Sequence, residues 1–145
     1  MIVVPDTNVI VSAFISRTGY EGQVLEAWRR NEIKFAVSSS IVQEYSEVLR
    51  RETIRKYTKL TDKKIEKILK AFKYKTIMTP GKKSIVASPD PKDNMFLACA
   101  EEAKAHALIT GDKRHLLSLK KHMNIPILTP REFVEKVLSV VKTAA

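Results

Sequence analysis

Short apolar runs separated by amphipathic stretches set the pattern of the chain. Ile2-Val3-Val4, Phe35-Ala36-Val37, Ala107-Leu108-Ile109 and Ile125-Pro126-Ile127-Leu128 read as short buried strands, each followed by a polar turn and a helical period. The helical periods run over Gly22–Asn31, Ser40–Arg51, Thr61–Tyr74, Pro91–Ala105 and Pro130–Val141, and a further strand falls within Thr76–Ala87. Strands alternating with helices predict parallel pairing through right-handed crossovers, hence a doubly wound α/β sheet with helices on both faces. Pro5 removes one ladder donor at the end of the first run, where the chain is already leaving the sheet.

Several helix starts are signalled locally. Ser40 with Gln43 makes a capping-box pair, Thr61 precedes a Lys-rich period, and Thr129-Pro130 places proline at the first helical position. Asp90-Pro91-Lys92-Asp93 offers a cap, a first-position proline and a first-turn acid in succession.

The 145 residues suit one domain spanning 1–145. A single cysteine, Cys99, excludes a disulfide framework and a cysteine-rich zinc site, and inside Phe96–Ala100 it reads as a small core residue. Apolar runs such as Val9–Ile15 stop far short of the ~20 residues that span a bilayer. The start of the chain has no basic region or cleavage pattern of a signal peptide, so the expectation is a cytoplasmic protein without membrane association.

Charge changes this picture. The net charge is +10, and residues 50–83 hold 13 basic residues against three acids, Glu52, Asp62 and Glu66. The other 111 residues carry 13 of each sign, so the excess belongs to one basic helical segment at about 50–83. A run of this kind is either a solvated helix face or a surface for a polyanion.

In open parallel α/β sheets the ligand site lies beyond the carboxyl ends of the strands. Asp6 follows the first apolar run and Asp112 follows Ala107–Ile109. Glu44 flanks the stripe Ile41, Val42, Tyr45, Val48 and Leu49, whereas Glu47 points nearly opposite. Asp93 falls in the first turn after Pro91. Four acids from distant parts of the chain thus converge on one sheet edge, although Asp112 also reads as a helix cap and Asp93 as an ordinary first-turn acid. Carboxylates so placed repel one another unless a cation neutralises them. Oxygen donors without His or Cys favour Mg²⁺ or Mn²⁺ over zinc, and such an ion supports in-line hydrolysis of a phosphodiester. His106, His115 and His122 share no metal-ligand spacing and read as structural or surface residues.

Four segments in order, Val4-Pro5-Asp6-Thr7-Asn8-Val9-Ile10-Val11-Ser12-Ala13, Ser40-Ile41-Val42-Gln43-Glu44-Tyr45, Asp90-Pro91-Lys92-Asp93-Asn94-Met95-Phe96-Leu97-Ala98-Cys99-Ala100 and Leu108-Ile109-Thr110-Gly111-Asp112, carry a family likeness. The chain resembles the PIN-domain family of ribonucleases, including the VapC-type toxins of toxin–antitoxin pairs. The resemblance implies a sheet of about five parallel strands in the order 3-2-1-4-5, the first strand central, and an acidic pocket that binds Mg²⁺ or Mn²⁺ for cleavage of single-stranded RNA. Residue by residue, Asp6, Glu44, Asp93 and Asp112 match the metal-site acids, the same four that the strand-end reading selects, with Asp112 acting largely through water. Thr7, Asn8 and Thr110 fall where the family places polar groups that orient the acids. Pro5 departs from the apolar residue usual at its position.

The expected function is therefore a metal-dependent endoribonuclease acting on single-stranded or looped RNA. The toxin role, an antitoxin protein partner and a homodimer are implied by the resemblance alone. Two alternatives stand beside it: a non-catalytic RNA- or protein-binding module on the same fold, and a phosphatase or phosphoacceptor using Asp6, for which Asp6-Thr7-Asn8 lacks the paired-Asp pattern. Beside an acidic nuclease pocket, the basic segment becomes a candidate surface for tracking RNA, with Lys63, Lys64, Lys67 and Lys70 foremost.

Overall fold

The structure, a computed structural model, describes residues 1–83, 91–111 and 121–144. The chain runs β1 (Ile2–Pro5), α1 (Thr7–Ile15), α2 (Tyr20–Arg29), β2 (Lys34–Ser38), α3 (Ser39–Leu49), α4 (Glu52–Thr58), α5 (Asp62–Tyr74), β3 (Ile77–Thr79), α6 (Pro91–Ala103), β4 (Ala107–Ile109), β5 (Lys121–His122) and β6 (Ile125–Leu128). A last helix, α7, consists of an α turn at Pro130–Glu132, a π-helical stretch at Phe133–Leu138 and an α-helical end at Ser139–Ala144. Among the described residues no helix is long and apolar enough to cross a membrane.

The sheet order is β3-β2-β1-β4-β6-β5. Its first five members pair in parallel in the expected arrangement, with β1 between β2 and β4. The strand count is corrected from about five to six among the described residues, because β5 pairs antiparallel with β6 at the edge. Met123 and Asn124, at φ 49° and 66°, form the two-residue turn of that hairpin. Positive φ at both central residues is the type I′ geometry, which Asn-Gly would have announced and Met-Asn conceals.

Val3 and Val4 are fully buried, and a strand covered on both faces reads as a continuous apolar run. Pro5 does not disturb its central place. The Pro5 carbonyl accepts the Tyr45 hydroxyl, and the next N–H, that of Asp6, donates to the Ile109 carbonyl at 3.0 Å. The ladder to β4 therefore continues past the proline.

Trp28 of α2 stacks on Phe35 of β2 and on Phe72 of α5, each at 5.0 Å between ring centroids, and Tyr45 of α3 meets Phe72 at 5.2 Å. Pairs of this kind add roughly 0.5–1.5 kcal/mol each beyond area burial. They anchor α5, whose fully buried side chains among the described core are Ile65 and Phe72, while its lysines stay outside. Gly22 lets α2 approach the preceding turn: a Cβ there would stand 2.2 Å from the Arg17 carbonyl oxygen.

Two helices lie outside the expected set. Helix α1 buries Thr7, Val9, Ile10, Val11 and Ala13, apolar on almost every side, so it shows no 3.6-residue contrast. Helix α4 buries none of its residues. The cap of α3 is Ser38, whose hydroxyl accepts the Ile41 N–H at 3.3 Å, not Ser40. Thr61 caps α5 as expected, and Thr129 forms a full capping box with Glu132. The Asp90 cap lies outside the described residues.

The end of α6 ties the strand-end loops together. Glu102 accepts the backbone N–H groups of Gly81 and Lys82 at 3.0 and 3.1 Å, with Gly81 at φ +68°. Glu101 Oε2 lies 2.9 Å from His122 Nε2, and Oε1 accepts Lys83 Nζ at 3.3 Å. The hydrogen bond from His122 is the main cause holding the Glu101 carboxyl below its usual range. A depressed carboxyl stabilises the fold above the ordinary carboxylate range, and that contribution is lost as pH falls through the folded-state value. Glu101→Gln is therefore expected to lower stability by about 1 kcal/mol or less at neutral pH. Urea unfolding between pH 7 and pH 3 should show the difference from the parent closing as the pH falls.

Candidate active site

Asp6 ends β1 and caps α1 at once. Its Oδ1 accepts the Val9 N–H at 2.9 Å, and its Oδ2 accepts the hydroxyl of Thr110, the fully buried residue that follows β4. Thr110 is itself fixed by donating its N–H to the Leu128 carbonyl at 2.9 Å. Asp6 is 5% exposed, and each of its two oxygens is taken by a donor. One residue on, the buried Thr7 donates its hydroxyl to Glu44 Oε2. Glu44 is half-buried on α3 and Glu47 exposed, as the helical period requires. Asp93, 9% exposed, enters from the first turn of α6.

These residues share one cleft of about 230 Å³, lined by Asp6, Thr7, Asn8, Glu44, Asp93 and, from the basic side, Arg51 and Lys92. It lies at the carboxyl ends of the parallel strands, where a doubly wound sheet places its ligand. Asp6, Glu44 and Asp93 are thus brought together, with Thr7 and Asn8 beside them and Thr110 behind Asp6. Asp112 lies outside the described residues. Among the described residues no three His, Cys, Asp or Glu side chains form a tight group that could hold a metal. The donor set, oxygens alone, still fits a hard divalent ion that keeps several waters and takes only one or two carboxylates directly.

The four lysines separate. Lys63 and Lys70 line a groove of about 530 Å³ with Val42, Lys73 and Tyr74, while Lys64 lines another of about 620 Å³ facing α1 and α2. Lys67, on the crest between them, lines both. Neither groove shares a lining residue with the acid cleft, but α4 joins two of the three sites. Arg51, just before α4, lines the cleft, and Thr58 and Lys59 at its far end line the larger groove.

The remaining reactive types are accounted for structurally. Burial pushes the Cys99 thiol up to about 11, so it is protonated at neutral pH and serves as core beside Thr79. Burial first, then the nearby Asp6 charge, holds the Tyr45 phenol well above its usual value, which keeps it a hydrogen-bond donor to Pro5. His106 Nδ1 accepts the Ile2 N–H at 3.0 Å, His122 pairs with Glu101, and His115 is outside the described residues. Tyr45 and Arg51 are the participants that sequence reasoning missed. Arg51 carried a partial signal, since it stands seven residues after Glu44 in the helix expected over Ser40–Arg51, but α3 ends at Leu49 and Arg51 is the extended residue that caps the start of α4.

A mostly parallel doubly wound sheet with carboxylates from the β1–α1 junction, α3 and α6 around one strand-end cleft defines an α/β protein with an acidic, oxygen-donor site. The chain belongs to the PIN-domain family, whose model matches residues 2–114. It is 34% identical over 144 residues to the uncharacterized protein MJ1680 of Methanocaldococcus jannaschii, an alignment covering 92% of this chain and 90% of that protein. No solved structure matches it at a significant level. PIN domains are generally nucleases and typically use divalent metals.

Thr110→Val is expected to cost about 1–3 kcal/mol of unfolding free energy by withdrawing a buried donor from Asp6, with Thr110→Ser recovering most of it. Chemical denaturation of the two variants checks this; a loss in Thr110→Ser as large as that in Thr110→Val overturns it, because serine keeps the hydroxyl and lacks only the methyl.

Proposed function

We propose that the protein is a metal-dependent endoribonuclease that hydrolyses phosphodiester bonds of single-stranded or looped RNA. The observation that carries the reading is the delivery of Asp6, Glu44 and Asp93 by three separate elements into one cleft of a PIN domain. Asp6 and Glu44 are pre-oriented by Thr110, Val9 and Thr7, so their carboxylates need little rearrangement on binding. Asp93 joins them from α6, Asn8 adds a polar group to the lining, and Asp112 is the fourth acid that the family resemblance implies. When bound, Mg²⁺ or Mn²⁺ stabilises charge on the phosphate and lowers the pKa of water. Asp6, Glu44 and Asp93 would hold such an ion, one or two of them directly and the others through its waters, and no covalent intermediate with the protein is needed. Likeness to VapC-type sequences supports a toxin role with an antitoxin partner and a homodimeric assembly.

Cleavage-site mapping on total cellular RNA tests the proposal. The parent protein should cut at discrete sites with Mg²⁺ or Mn²⁺ and lose activity with chelator, and Asp6→Asn should be slower by about 10²-fold or more. Full metal-dependent cleavage by a clean Asp6→Asn preparation rejects it.

The basic segment is the proposed holder of the RNA backbone. Replacing Lys63, Lys64, Lys67 and Lys70 by alanine should weaken RNA binding and flatten its salt dependence, leaving the metal requirement unchanged. Because α5 divides them, Lys64→Ala and the Lys63/Lys70 double variant, measured separately by anisotropy, report which groove carries the strand, Lys67 lining both. An unchanged salt slope in the fourfold variant returns the segment to a solvated face.

A further inference from the structure

Three arginines stand where α3, α4 and α5 meet, and two of them are committed. Arg50 is ion-paired with Glu66 and donates to the Ser46 hydroxyl at 3.1 Å. Arg55 pairs with Asp62 at 3.0 Å and donates to the Leu60 carbonyl at 3.1 Å. Arg51 lies between them in sequence and is exposed, and among the described residues its guanidinium makes neither a hydrogen bond nor an ion pair. It nevertheless lines the cleft that holds Asp6, Glu44 and Asp93. Lys92, the other cation of that cleft, already makes a further contact.

A cation placed to neutralise the cleft would sit on one of its carboxylates. A guanidinium that shares the cleft but stands off from all of them leaves room for an anion in between. The planar guanidinium fork matches the two non-bridging oxygens of a phosphodiester with paired, charge-assisted hydrogen bonds, which an ammonium cannot reproduce. Resting on the nuclease reading above, we propose that Arg51 binds the scissile phosphodiester and stabilises the charge that builds on its oxygens during hydrolysis. A water oxygen joins phosphorus, one ester oxygen leaves, and the water's protons end on the leaving alcohol and in solvent. The guanidinium carries no proton in this exchange and acts by charge and direction alone. The same residue then sets the exit of the strand. Helix α4 leads from Arg51 to Lys59 and the larger groove, whose lining includes Arg17, Arg29, Lys64, Lys67 and Lys75 and, among the described residues, no acid.

The test compares Arg51→Ala, Arg51→Lys and, as a charge-loss control at the amino end of β2, away from the cleft, Lys34→Ala. Single-turnover cleavage of a labelled oligoribonucleotide is read with Mg²⁺, and binding of the same oligonucleotide is read by anisotropy across salt in an Asp6→Asn background. R51A should lose about 10²-fold in kcat/KM, with R51K recovering part of it. The salt slope should fall by about one, while thermal melting and the Mg²⁺ requirement stay as in the parent. K34A should stay within about twofold of the parent in cleavage. R51A cleaving like the parent overturns the inference, and so does a rate loss with an unchanged salt slope. A parent protein that cleaves no RNA fails the nuclease reading first and this inference with it; the two failures are told apart by the parent's own activity.

Discussion

A carboxylate buried at the end of the central strand needs internal donors for both its oxygens, and meeting that need organises the rest of the molecule. The side-chain bonds of Asp6 to the Val9 N–H and the Thr110 hydroxyl join the end of β1, the start of α1 and the end of β4 into one unit. Thr7 extends the unit to α3 through Glu44, and the Tyr45 hydroxyl closes it by returning to Pro5. The tie points of the fold are therefore the same residues that form the cleft. A change there acts on stability and on chemistry together, because removing a partner leaves a buried polar group unsatisfied at a cost of about 1–3 kcal/mol.

Much of this was legible from the chain. Strands buried on both faces appear as bare apolar runs, which is why β1, β2, β4 and β6 could be read directly, and Asp6 stood at the one place where a doubly wound sheet opens its site. Glu44 was separable from Glu47 because a helix exposes one flank of its apolar stripe more than the opposite face. What failed did so for local reasons. Helix α1 is buried almost all round and lost its period; Ser38, Ser39 and Ser40 offer three chemically equivalent caps, and only the backbone geometry chooses Ser38. β5 exists through the turn at Met123-Asn124 and the pairing it imposes, not through any preference of Lys121-His122 for a strand. The Tyr45 hydroxyl was hidden because its aromatic ring alone explains its place in the stripe. Asp112 lies outside the described residues, so the fourth acid rests on the sequence.

The +10 charge also changes meaning once its carriers are placed. Helix α5 is pinned from within by Ile65 and Phe72, which turns its lysines outward on two flanks rather than one. Of the three acids in the basic segment, Glu66 and Asp62 are taken by Arg50 and Arg55. Among the described residues the lysines of α5 make no ion pair, and a surface of that kind raises the local concentration of a polyanion in a salt-dependent way.

Both arginine pairs reach solvent, Arg55 being half-buried and its partner Asp62 exposed, and surface ion pairs of this kind contribute at most about 1 kcal/mol to stability. Their larger consequence is positional. Helix α4 has no buried residue to fix it by packing, so the pairs on either side of Arg51 join the α3–α4–α5 junction directly. The cleft carries three carboxylates against Arg51 and Lys92, while the described lining of the larger groove has six cations and no acid. A short polar helix held by charge between those two opposite fields joins them, which an apolar, packed helix could not do without closing the groove it borders.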